Sequence, residues 1–143
     1  MSVKDIRVVQ ATTVTAGAAG TSAVNGATID LTGVEELLII VPFGAIVSGA
    51  VTSVKFQEGD TTSPTTDVAG TSITVADTDD DTTKVIRIIK PLKRYGRVVV
   101  SRATQNATVG AILYICSGLR TLPATEAATV VGETHISPVA GTA

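Results

Sequence analysis

The residues able to do chemistry in this chain are few, and their spacing assembles little. There is one cysteine, Cys116, and one histidine, His135. A thiol becomes a nucleophile when a nearby base or cation raises its thiolate fraction. His135 is the only imidazole available for that, and it sits in a tail rich in Ala, Thr, Gly and Pro. Cys116 closes the apolar run ILYIC, where it reads as a small buried hydrophobe. One His and one distant Cys supply too few ligands for a transition-metal site. Asp77, Asp79, Asp80 and Asp81 form the sharpest acidic cluster. Ca²⁺ takes about six to eight oxygen ligands, which Asp-rich loops can supply. The EF-hand pattern is missing, because its loop glycine and closing glutamate are absent. Adjacent carboxylates on an extended segment also diverge. The expectation for 77–81 is therefore a solvated turn. Glu35 and Glu36 diverge in the same way, so no carboxylate pair is placed for glycoside hydrolysis. G-x-S-x-G, the P-loop and G-x-G-x-x-G are absent, and AGAAG lacks the strand–turn–helix context that holds phosphate. Asn106-Ala107-Thr108 fits a glycosylation sequon, but no secretion signal accompanies it. These residues point away from an enzyme and call for no cofactor and no metal.

The dense group of functional side chains is KPLKRYGRVVVSR, residues 90–102. It carries Lys90, Lys93, Arg94, Arg97 and Arg102, together with Tyr95 and no acid. Lysines and arginines can neutralise phosphates, and a tyrosine can stack on a base. The sequence pI of about 5.3 weighs against nucleic acid, as does a single tyrosine for stacking. Strand alternation also splits the group. Val98, Val100 and Arg102 share one face, while Arg97, Val99 and Ser101 share the other. The favoured reading is a protein interface that meets acidic surface on a subunit or partner, with Lys84 and Arg87 enlarging it. Charge along the chain is uneven in a way that supports this. Residues 30–81 hold ten acids and one base, and residues 84–120 hold eight bases and no acid.

The elements that must position these groups read as strands. The 143 residues suit one domain, with 44% hydrophobic but 3% aromatic residues. Val, Ile and Thr are stiff at χ1 and fit a pleated surface. Strands are expected at 6–13, 27–31, 36–43, 51–58, 72–75, 84–90, 97–102 and 109–116. Asn25-Gly26 signals a turn. The continuous run ELLIIVPF suggests a strand buried on both faces, with Pro42 marking a bend or an end. Seven to nine strands at such intervals predict an all-β fold, an antiparallel β-sandwich, jelly-roll-like or immunoglobulin-like. The sandwich is expected to span 1–120. Residues 121–143 read as an extended C-terminal arm, with Val130, Val131, Ile136 and Val139 as its contact residues and a neighbour's sheet as a landing place. No run approaches the ~20 apolar residues that cross a bilayer, and the N-terminus lacks a signal-peptide pattern, so a cytoplasmic origin and no membrane are expected.

Three stretches together resemble small head proteins of tailed bacteriophages that serve as capsid decoration or cement proteins. They are ATIDLTGVEELLIIVPFGAIVSGAVTSVKFQEGD, IKPLKRYGRVVVSRATQNATVGAILYICSGLR, and the tail ending ETHISPVAGTA. The likeness covers about residues 25–140 and is one of order and texture, without a diagnostic motif. It implies a structural protein on the outer surface of an assembled virion capsid, stabilising contacts between major capsid subunits. It also implies a homo-oligomer, trimer ahead of dimer. The alternatives are a tail, neck or fibre protein of the virion, and a carbohydrate- or receptor-binding β module, against which the lack of Trp argues. Lys90, Lys93, Arg94 and Arg97 with the arm are the expected contact surfaces.

Overall fold

The computed structural model describes residues 3–14, 17–121 and 124–133. After a 3₁₀ turn at Val3–Asp5 come β1 (Arg7–Gln10), β2 (Val24–Asn25), β3 (Ile29–Asp30), β4 (Glu36–Ile46) and β5 (Val51–Gly59). They are followed by β6 (Thr66–Asp67), β7 (Ile73–Val75), β8 (Thr83–Ile89), β9 (Tyr95–Ala103), β10 (Ala107–Val109) and β11 (Leu113–Ser117). All pairings are antiparallel. One sheet runs β1-β11-β4-β8, with β10 prolonging β11 along β4. The other sets β2 and β3 beside β9, then β5, then β6 and β7. Pairing is nested: β1 takes β11, β2 and β3 take β9, β4 takes β8, and β5 takes β6 and β7. A long hairpin rolled on itself gives this order, the jelly-roll form of a β-sandwich.

The core lies between the sheets and follows strand alternation. Leu37, Ile39, Val41 and Phe43 of β4 meet Val54 and Phe56 of β5 and Val98 and Val100 of β9 in one buried cluster. Tyr114 is the largest side chain in it, and its hydroxyl is satisfied twice. Val98 N–H donates to it at 2.9 Å, and it donates to the Ala27 carbonyl at 3.0 Å. Burial of that phenol raises its pKa to about 12.

Four expectations need correction. Strand 36–43 is not fully buried on both faces: Leu38 and Ile40 point outward and are only half-buried. Pro42 does not end β4. Its carbonyl accepts from Gly110 at 2.8 Å, and its missing N–H falls where β4 changes partner from β11 to β10. Asn25-Gly26 makes no hairpin turn: Asn25 pairs with Val99, and a Cβ on Gly26 would collide with the Tyr114 hydroxyl. That glycine serves a close approach. The strand expected over 109–116 is two, β10 and β11, broken around Gly110.

Candidate protein-interaction site

The basic stretch forms the loop that follows β8 and most of β9, and its cations do not act together. Lys93 Nζ lies 2.8 Å from Asp60, and Arg94 holds Asp30 through Nη2 at 2.9 Å and Nε at 3.2 Å. Arg94 also stacks over Tyr95, 5.0 Å from the ring centre. Hydrogen bonding from Arg94 leads the causes that lower the Asp30 pKa to about 2. Arg97 Nε donates to Gln57 Oε1 at 3.0 Å. Lys84 reaches back to Asp79 at 2.8 Å. The two halves of the charge pattern thus meet within one chain, which supplies much of the acidic surface that the basic stretch was expected to find elsewhere. Lys90 and Arg87 have no ion pair among the described residues. Lys90 adopts a positive φ of 52° as β8 turns into the loop. At the loop's crest Leu92 is 87% exposed.

Arg102 does not belong to this surface. It faces inward with Val98 and Val100 and is buried. Its guanidinium donates to four backbone carbonyls: Ser22 at 2.6 Å, Gly17 at 3.2 Å, Ala18 at 2.8 Å and Ala107 at 2.6 Å. It ties the loop 17–22 to β10, and burial lowers its pKa. It is not a contact residue of the basic surface, because its side chain is buried and bonded to carbonyls of its own chain.

The arm begins along the free edge of β1. Ala124 N–H donates to the Lys4 carbonyl at 3.2 Å, and the Glu126 carboxylate accepts Val8 N–H at 2.9 and 3.1 Å. That cap covers a backbone donor that would otherwise invite another strand. Val130 is half-buried in a short turn, and Val131 is 94% exposed. Ile136, Val139 and His135 lie outside the described residues.

The remaining candidates for chemistry are occupied locally. Asp77 accepts Gly49 N–H at 2.6 Å, Asp79 accepts Ala76 N–H at 2.9 Å, and Asp80 accepts Ile46 N–H at 2.7 Å. The acidic turn therefore pins the β4–β5 connection and the start of β8. Among the described residues no group of three or more His, Cys, Asp or Glu is placed to hold a metal ion. Cys116 is fully buried, and burial raises its pKa despite Arg7 Nη2 at 3.8 Å. A cleft of about 220 Å³ is lined by Arg7 and Arg120 together with Thr32 and Thr125, two cations beside hydroxyls.

The outer faces of the two sheets differ. On β5 and β9 the outward residues include Ser53, Lys55, Gln57, Arg97 and Ser101, and Gln57 is bonded to Arg97 and Asp67. On the other sheet the register aligns Leu113, Ile40 and Val85 in one outward row and Val8, Ile115 and Leu38 in the next. Sequence reasoning missed this surface. Its signal was present in ELLIIVPF and VIRII, whose apolar residues occupy both faces of their strands. A scan against protein-family models returns no match, and neither does a search of curated proteins.

Proposed function

We propose that this chain is a structural, non-catalytic protein of a tailed-phage virion. In this reading it binds the outside of the assembled capsid and stabilises contacts between major capsid subunits. The observation that carries it is the placement of KPLKRYG, the stretch on which the resemblance leans. Its first five residues form an exposed loop with Leu92 bare beside Lys90 and Lys93, and Tyr95 and Gly96 anchor it as the start of β9 in the jelly-roll body. A loop held by a sandwich suits adhesion. Many copies bound side by side gain avidity without new contacts. Jelly rolls serve capsids, lectins and cupins alike, so the fold alone does not choose between them.

The test mixes the purified chain with undecorated shells of the phage that encodes it. Saturable co-sedimentation and a raised shell melting temperature are expected, with Leu92→Asp weakening binding about tenfold. No co-sedimentation at any ratio overturns the reading. Because Lys93 and Arg94 already hold acids of their own chain, binding should fall little between low and high salt. A steep fall would put the basic stretch back at the centre of the interface. The apolar outer sheet face favours one second reading, a tail, neck or fibre component that self-assembles. Rings or tubes formed by the pure chain without shells would select it.

A further inference from the structure

The outer face of the β1-β11-β4-β8 sheet has no covering layer among the described residues. Strands buried on both faces read as continuous apolar runs, whereas a solvated face shows clean alternation. β4 has the first pattern in a fold with only two layers. Of its apolar residues, Leu37, Ile39 and Val41 are buried, while Leu38 and Ile40 point away from the core. Beside them Leu113 and Val85 extend one cross-strand row, which Gln10 ends, and Ile115 and Val8 extend the next, which Arg87 ends, while Ile89, opposite Glu36, is 70% exposed. Four strands spaced about 4.8 Å apart, over the roughly 20 Å from Glu36 to Pro42, give a footprint of about 400 Å². The apolar rows fill roughly half of it as one contiguous strip, a feature that is often functional. It would form the centre of an interface of about 800 Å² per partner.

We propose that this face is a self-association surface, covered by the same face of a second copy about a twofold axis. Charge complementarity selects that occupant. The outward residues of these four strands include two charges, Glu36 and Arg87, of opposite sign. They are diagonal neighbours across β4 and β8, and neither has an ion pair among the described residues. A twofold axis passing between them sets each against its opposite in the other copy, which is the self-complementarity an isologous interface requires. The edges argue against growth of the sheet sideways. Glu126 caps β1, and Lys84 and Arg87 place charge on β8. Face-to-face pairing buries the apolar rows while leaving the 90–94 loop free. The inference does not rest on the capsid reading.

Sedimentation equilibrium of the full chain, without shells, tests it. The wild type is expected as a dimer at micromolar concentration. Ile40→Lys should raise the dimer Kd at least about 100-fold while circular dichroism and melting of the monomer stay near wild type. Should Ile40→Lys unfold, Ile115→Thr with Leu38→Thr keeps β propensity and carries the same expectation. Glu36→Arg and Arg87→Glu should each weaken the dimer about tenfold, and the double exchange should restore it. A monomeric wild type at ~100 µM, or a dimer indifferent to these changes, overturns the proposal. A chain lacking 134–143 that newly dimerises would also overturn it, by naming that segment as the cover. Shell binding is read separately, so either reading can fail alone.

Discussion

The two outer faces of this sandwich are built on opposite rules. On β5 and β9 the outward side is mostly polar, with Ser53, Lys55, Gln57, Arg97 and Ser101 set around Val51 and Val99, and Gln57 is bonded to both Arg97 and Asp67. On β4 and β11 both sides are apolar. The first sheet is finished by its own side chains and water. The second is finished only when another surface lies on it. A strand's period thus reports how many layers it expects, and the count can exceed what one chain supplies.

Neighbouring residues of one strand give the sharpest contrast. Ile39→Ala empties a fully buried site and should cost about 3 kcal/mol. Ile40, one position on, is half-buried in the monomer, and Ile40→Ala should cost it only about 1 kcal/mol, with its larger effect in association. Urea melts of both variants below the dimer Kd check this. Equal losses would mean that β4 is sheathed on both sides within the monomer. Arg102→Met comes next, at about 2–3 kcal/mol, because four carbonyls lose a cationic donor in a buried place. Thermal melting reads the loss, and amide exchange should locate it in residues 17–22. On the polar face Gln57→Ala should cost about 1 kcal/mol and leave dimerisation unchanged. Any shift in the dimer Kd would erase the distinction between the faces.

The smallest effects are in pH. Tyr114 titrates higher folded than unfolded, so its neutral form supports the fold up to its ordinary pKa near 10, and that support is lost as pH rises towards 12. Asp30 shows the reverse sign. Its carboxylate contribution is complete above the ordinary value of 3.8 and is lost as pH falls towards 2. The Arg94 pair is solvated, so the acid limb is shallow, and Arg94→Gln should flatten it further in melts between pH 2 and pH 5.

The long strands were legible because their periodicity was. Val54 with Phe56, and Val98 with Val100, share the inner face as alternation predicts. Two-residue strands such as β2 and β6 carry no period to read. Asn25-Gly26 misled because its glycine yields space to Tyr114, a contact 88 residues away that no local rule contains. Arg102 was assigned the correct side of β9 and the wrong role, since the carbonyls that hold it come from a loop about 80 residues earlier. The outward apolar face was half legible. The continuous run was seen, but which side the core would leave uncovered depends on the register of four strands.

Hydroxyl-radical footprinting of side chains, on the pure chain above and below its dimer Kd, tests the central claim most directly. Leu38, Ile40 and Ile115 should become protected as concentration rises, while Leu92 and Val51 label equally at both. Equal labelling of Leu38, Ile40 and Ile115 at every concentration would contradict it.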